Sequence, residues 1–164
     1  MALTPAQQDA LTKIAAASVE CERKTGCPAE LTAAQAILES GWLTSAPGNN
    51  AFGIKSNSSG AQGKQYCLTS EFIDGTWKKE PLAFATYATL ADGFADHARL
   101  LQCGVYEGAW RQYQKDHNLD AFIKGIAAHY ATDPGYAGKV SQIAHMSSVQ
   151  IAVQMHRARM SEAA

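Results

Sequence analysis

Between Gly41 and Tyr87 the sequence abandons the helical spacing that governs the rest of the chain, and this interruption limits the possible folds more than any other feature. Before it, Thr4 is a good N-cap and Pro5 suits a first helical position. From Ala6 to about Arg23 the apolar residues Leu11, Ile14, Ala15 and Val19 recur at helical spacing, and Gly26 and Pro28 stop the run. Thr32 followed by Gln35 matches a capping box, which predicts a short helix Ala33–Ser40 with Ala34, Ile37 and Leu38 as its apolar stripe. Inside the interruption, Pro47-Gly48-Asn49-Asn50, Asn57-Ser58-Ser59-Gly60 and Asp74-Gly75 are turn signals. The stretches Tyr66–Ile73 and Leu82–Tyr87 are rich in β-branched and aromatic residues, and Asp74-Gly75 between Phe72-Ile73 and Thr76-Trp77 predicts a hairpin turn.

Helical spacing returns at Thr89, with Leu90, Phe94, His97, Leu100 and Leu101 on one face. Trp110 and Tyr113 suggest a short helix, and Leu119–His129 carries Phe122 and Ile126 with Tyr130 following in step. After Asp133-Pro134-Gly135 another pattern runs from Tyr136 through Val140, Ile143 and Ala144, and a final amphipathic stretch ends near Arg159. The expected class is α+β, mostly α, with one small β-hairpin lobe set between helices. No repeat or linker divides residues 1–164, so a single domain is expected.

Composition removes several functions. Hydrophobic residues form 46% of the chain and the formal charge is −1, so disorder is excluded and no cationic surplus exists to hold nucleic acid. No apolar stretch approaches a membrane span, and insertion into a membrane is not expected. Met1-Ala2-Leu3-Thr4-Pro5 lacks the basic and apolar regions of a cleaved signal peptide. The expectation is synthesis in the cytoplasm, with use there or exit by a route that needs no cleaved signal. Cys21, Cys27, Cys67 and Cys103 include no CxxC pair; Cys21 and Cys27 are near enough in sequence to bridge, and buried free thiols explain them equally well. The histidines form no HExxH, and P-loop, GxGxxG and Gly-x-Ser-x-Gly motifs are lacking, so neither a metal nor a cofactor is expected.

The residues that remain with chemical promise are few. Glu39 ends the Ala33–Ser40 helix beside Trp42, where partial desolvation would raise its pKa toward that of a general acid at neutral pH. A carboxylate there also faces the unfavourable end of the helix dipole. Taken alone, a solvated helix-end Glu explains it too. Glu71 shares one strand face with Thr69 and Ile73, and a lobe folded over the helix would set it opposite Glu39; facing carboxyls are the equipment of glycoside hydrolysis. A solvated hairpin position is the plainer alternative. Asn49-Asn50-Ala51-Phe52-Gly53-Ile54-Lys55 offers an amide, an apolar face and a close backbone approach, which suit a sugar or a structural turn. Tyr130 and Tyr136 flank the Asp133-Pro134-Gly135 turn, where each serves either core packing or a substrate.

Taken in order, the segments Ala33-Ala34-Gln35-Ala36-Ile37-Leu38-Glu39-Ser40-Gly41-Trp42, Asn49 to Lys55, Thr69-Ser70-Glu71-Phe72 and Tyr130 to Tyr136 resemble glycoside hydrolase family 73, the bacterial and phage endo-β-N-acetylglucosaminidases of peptidoglycan. The resemblance covers the chain from about Pro28 to about Ile143. It implies a lysozyme-like fold whose hairpin lobe flanks a catalytic cleft. The implied reaction cleaves the β-1,4 bond between N-acetylglucosamine and N-acetylmuramic acid. It implies Glu39 as general acid, Glu71 as second carboxylate and Tyr130 as an active-site tyrosine. Asn50, Phe52 and Tyr136 match positions that line or support the cleft. The expected partner is the glycan strand of peptidoglycan, met by a monomer in the wall or periplasm. A lone catalytic domain without a signal suits a phage endolysin or a delivered bacterial enzyme. A lytic transglycosylase or muramidase on the same fold is the alternative enzyme. A non-catalytic wall-binding module is the alternative class, and the presence of both Glu39 and Glu71 counts against it.

Overall fold

The first helix, α1 (Pro5–Thr25), is fixed at both ends by its own sequence. Thr4 Oγ1 accepts from the Gln7 N–H, Gln7 returns the bond to the Thr4 N–H, and Gly26 closes the helix with φ 76°. The computed structural model describes the backbone of residues 2–162 and the side chains of these residues apart from Glu71, Phe72 and Ile73.

The second helix, α2 (Ala29–Ser40), starts a full turn before the expected Ala33. No Thr32–Gln35 capping box forms. Pro28 is the N-cap, and the Glu22 carboxylate of α1 accepts from the Ala29 N–H at 3.0 Å. Thr32 lies inside the helix and donates to the Ala29 carbonyl at 3.2 Å, while Gln35 is fully buried. A cap supplied by a neighbouring helix removes the local signal that would mark the true start.

Every residue of α2 from Ala29 to Ile37 is buried, and α1, α6 (Tyr136–Ala144) and α7 (Ser147–Glu162) enclose it. Helix α3 (Leu90–Leu100) begins with a Thr89–Asp92 capping box and packs Phe94, His97 and Ala98 inward. Leu100, expected on that face, is 37% exposed; it lies in the last turn, where the next residue, Leu101, is fully buried instead. Helices α4 (Glu107–Asp116) and α5 (Leu119–Tyr130) complete the helical part and carry Trp110, Tyr113 and Phe122 in one aromatic group. Cys21 and Cys27 are free and buried, and burial pushes the Cys21 thiol up to about 11.

The hairpin is longer than the sequence pattern suggested. Strands β1 (Gly63–Ile73) and β2 (Thr76–Thr86) pair antiparallel, with Ile73 opposite Thr76. Asp74 (φ 52°) and Gly75 (φ 78°) make the two-residue turn, both left-handed as a type I′ turn requires. Lys78, Lys79, Glu80 and Pro81 hid the start of β2; a two-stranded ribbon has solvent on its outer edge, so Pro81 sacrifices no ladder bond. Such a ribbon is marginal alone. This one is rooted at its base: Ala85 N–H donates to Ile54 at 2.9 Å, Tyr87 N–H to Gly48 at 2.9 Å, and the Tyr87 hydroxyl to the buried Asp96 at 2.6 Å. The tip, Thr76 to Glu80, is exposed.

The C-terminal helix is clasped by one cation. Arg157 of α7 donates to Glu22 at 2.6 and 2.8 Å and to Glu30 at 2.6 and 2.8 Å. Replacing Arg157 by Met should cost about 2–3 kcal/mol, below the ~3–5 kcal/mol of a fully buried broken pair because solvent reaches this one. A urea titration reads it as a lower midpoint at unchanged slope. Adding Glu22→Gln and Glu30→Gln to Arg157→Met should recover part of the loss, because stranded charge causes it.

Candidate active site

Glu39 sits in the last turn of α2, and the residues after it make the helix stop abruptly. Gly41, Trp42 and Leu43 all adopt left-handed backbone, with φ of 57°, 62° and 62°. For Trp42 and Leu43 this costs roughly 1–2 kcal/mol each. Ser40 holds the turn: its hydroxyl donates to the Ala36 carbonyl at 2.6 Å and accepts from the Leu43 N–H at 2.9 Å. Thr44 adds bonds from its hydroxyl to the Ser40 and Gly41 carbonyls. The helix ends one residue past Glu39, so its carboxyl emerges at the surface of a buried element.

It emerges into a cleft of about 260 Å³ lined by Glu39, Asn50, Gln65, Cys67, Thr69 and Phe84. One wall is the Asn50 loop and the other is β1, through Gln65, Cys67 and Thr69 of one row and Leu68 of the other, with Phe84 of β2. Lys55 lies 4.2 Å over the Phe84 ring and places a cation beside this wall. The Tyr136 hydroxyl donates to Glu39 Oε1 at 2.9 Å. Glu39 Oε2 has no protein partner among the described residues. Partial burial pushes the Glu39 carboxyl above the ordinary carboxylate range, and the Tyr136 bond offsets part of that rise. The helix C-terminus adds its negative end dipole, which also favours the protonated form.

Behind Glu39 runs a chain of buried polar groups. Tyr136 accepts a bond from Gln35 Nε2 at 3.0 Å, and Gln35 Oε1 lies 2.9 Å from His97 Nε2. His97 is 1% exposed and its pKa is pushed down to about 3 by burial, so it is neutral. Phe52 lies flat on its ring, 3.8 Å between centroids at 5°. Tyr130 meets the His97 ring edge-on and stacks on Tyr136 at 5.3 Å. Burial raises the Tyr130 phenol most, and Tyr136 and Glu39 raise it further, so it is a neutral hydroxyl beside the carboxyl. That hydroxyl has no protein partner among the described residues.

The residues singled out from sequence therefore fall into groups. Glu39, Tyr130 and Tyr136 come together. Asn50 lines the cleft, but its amide is committed to four backbone bonds: to the Ile54 and Ala85 carbonyls and from the Phe52 and Ile54 N–H groups. A sugar contact by that amide would break the loop that builds the wall. Phe52 is 7% exposed and packs behind the site. Both support the cleft in this conformation. Glu71 lies in β1 opposite Lys78; its side chain is outside the described residues. Gln35 and His97 were not singled out as site residues. The available signal was Gln35 one helical turn before Glu39, and a histidine on the apolar face of α3. Among the described residues no three His, Cys, Asp or Glu side chains gather to hold a metal, and no helix is long and apolar enough to cross a membrane.

This arrangement has relatives. Residues 15–148 match a glucosaminidase family described as mannosyl-glycoprotein endo-β-N-acetylglucosaminidase. An autolysin of Enterococcus faecalis is 34% identical over 158 residues, covering 87% of this chain and 20% of that protein. A peptidoglycan hydrolase FlgJ of Vibrio parahaemolyticus is 41% identical over 126 residues, covering 72% of this chain and 40% of that protein. The chain thus spans well under half the length of these curated relatives. The crystal structure of the catalytic domain of the autolysin Auto from Listeria monocytogenes superposes with a TM-score of 0.75 at 28% identity, over 94% of this chain and 89% of that one. With four-fifths of its length matching the family and the hairpin-and-helix architecture in common with a solved catalytic domain, the chain belongs to the glucosaminidases of glycoside hydrolase family 73.

Proposed function

We propose that this chain hydrolyses the β-1,4 bond between N-acetylglucosamine and N-acetylmuramic acid in peptidoglycan, with Glu39 as the general acid. The observation that carries this reading is one carboxyl with three properties: it opens into the cleft, it is held above its ordinary pKa, and among the described residues it is bonded on one oxygen only. A carboxyl whose pKa is raised and whose second oxygen is open is suited to protonate a glycosidic oxygen. The relatives named as a peptidoglycan hydrolase and autolysins support the substrate class.

Once the leaving oxygen is protonated, positive charge grows at the sugar ring and a nucleophile must arrive from the opposite face. Position 71 falls in the same row of β1 as 65, 67 and 69, which line the cleft opposite Glu39. Glu71 is therefore the proposed base for the attacking water. Tyr130, with a neutral hydroxyl close to Glu39, is the proposed guide for that water or for the substrate's acetamido group. The glycan strand lies along the cleft, and the site of action is the cell wall.

Glu39→Gln keeps the shape and the Tyr136 bond but removes the proton. Wall lysis, followed as turbidity loss of a cell-wall suspension, should fall by about 10²–10⁴-fold with the circular dichroism unchanged. The acid must be protonated to act. Activity should therefore persist on the acid side and fall as pH rises through the Glu39 pKa, at a higher pH than an ordinary Glu would give.

Glu71→Gln should also lose activity, by less if the substrate's acetamido group shares the work. A variant as active as the parent would remove Glu71 from the mechanism and leave Glu39 in place.

The released fragments distinguish the bond cut. After borohydride reduction, mass spectrometry should find N-acetylglucosaminitol at the fragment ends. Anhydro-muramic ends would instead mean a lytic transglycosylase, and N-acetylmuramitol ends a muramidase.

A further inference from the structure

The buried chain behind Glu39 has a direction. An amide presents donors at one end and an acceptor at the other, so Gln35 cannot give the same bond to both neighbours. If Gln35 turned round, its oxygen would face Tyr136 and take that hydroxyl's proton for itself. Its NH₂ would then face His97 and need an unprotonated Nε2. In the arrangement present, Gln35 Nε2 donates to the Tyr136 oxygen, which leaves the Tyr136 hydrogen one acceptor among the described residues, Glu39 Oε1. Gln35 Oε1 then requires a hydrogen on His97 Nε2. A neutral, fully buried imidazole stacked on Phe52 supplies it without charge.

We propose that Gln35 and His97 are positioning residues of this site. They fix the Tyr136 hydroxyl as a donor to Glu39 Oε1 and so reserve Oε2 as the oxygen that carries the proton to the substrate. Three elements take part, α3 through His97, α2 through Gln35 and α6 through Tyr136, and all converge on one carboxyl oxygen. The catalytic meaning of this arrangement rests on Glu39 being the acid; its geometry does not.

The groups that face Glu39 are Tyr136 from α6, Tyr130 from α5 and, across the cleft, Cys67 of β1; Lys64, Tyr66 and Glu71 are the other titratable residues on that strand. A donated bond stabilises the ionised form, so losing it raises the Glu39 pKa. Accepting from Gln35 makes the Tyr136 hydroxyl a stronger donor. Removing Gln35 should therefore raise the Glu39 pKa, by less than removing the hydroxyl itself. A merely structural role predicts the opposite sign: a loosened α2 admits water, and hydration lowers a desolvated carboxyl toward its ordinary value.

The test is the ¹³C NMR titration of the Glu39 carboxyl in the full chain, without substrate, in a Glu71→Gln background so that no carboxylate from β1 contributes. Tyr136→Phe should raise the Glu39 midpoint by about one pH unit, and Gln35→Met by about half a unit. Combined, they should match Tyr136→Phe alone, because Gln35 acts only through that hydroxyl. His97→Gln retains an N–H donor and should leave the midpoint near that of the parent, whereas His97→Leu should raise it. In the Glu71-intact enzyme, the alkaline limb of the activity profile should move in parallel, with kcat lowered more than KM is raised. A lowered midpoint in Gln35→Met, or a shift that persists undiminished in the Tyr136→Phe background, overturns the proposal. So does an unaltered midpoint in folded Gln35→Met. Should Gln35→Met fail to fold, the His97→Gln and His97→Leu pair gives the same decision. Because the titration uses no substrate, full activity in Glu39→Gln would sink the proposed reaction while leaving this proposal to be judged by the midpoints.

Discussion

A helix buried on every side that must still deliver one carboxyl to solvent is the constraint on which this structure depends. Ala29 to Ile37 are shut in by α1, α6 and α7, so the polar side chains along this stretch have little or no water to turn to. An unpaired buried amide or hydroxyl costs about 1–3 kcal/mol. Each polar side chain of α2 accordingly finds a fixed partner. Thr32 bonds back to Ala29, Glu30 is taken by Arg157, Gln35 bridges His97 and Tyr136, and Ser40 ties the last turn to the loop beyond. The same requirement that keeps the core satisfied therefore fixes the groups around Glu39. Site and core share atoms, and a change made for stability in α2 is also a change in the site.

The second wall is built differently. The hairpin contributes the inner row of β1 to the cleft, and its base is anchored through Ile54, Gly48 and Asp96. Its tip carries exposed lysines and Trp77, 73% exposed. A ribbon held at one end is the part of such a fold with the lowest local stability. The cleft thus pairs an acid set on a buried helix with a wall rooted at its base, and the proposed substrate, a glycan strand, enters between them. Glu39 is fixed by its helix, whereas whatever β1 contributes depends on how the ribbon lies over the strand.

How much of this was legible in the sequence follows from where each signal is stored. α1 carries its own cap and its own stop, Thr4-Pro5 and Gly26, and it lies close to where local patterns put it. The Asp74-Gly75 turn is equally local and equally clear. The start of α2 was misplaced because its cap comes from Glu22, and a helix buried all round has no polar face to mark its period. β2 was shortened because its outer half is exposed and polar, so Lys78, Lys79 and Glu80 read as loop. Glu39 stood out through a cost, a carboxylate at the wrong end of a helix dipole. Gln35 was masked by a motif match, since a Thr followed by Gln at capping distance looks like a helix start. His97 was masked by periodicity, since it falls in step with Phe94 and Leu101. Only tertiary contact separates a buried histidine that fills space from one that orients an amide.

The forces on Glu39 themselves explain why so indirect a device is useful. Desolvation and the helix end dipole both push the carboxyl toward its neutral form, and the Tyr136 bond opposes them. A charged partner would oppose this more strongly, since a neighbouring Lys or Arg lowers a carboxyl pKa by ~1–3 units. A neutral hydroxyl supplies a smaller correction, and its strength is set by what the hydroxyl itself accepts. Placing an amide behind the tyrosine, and a neutral imidazole behind the amide, tunes the correction with no charged group in the chain itself. The same chain occupies one carboxylate oxygen and leaves the other facing the cleft, so the adjustment of acidity and the placement of the proton are a single act of hydrogen bonding.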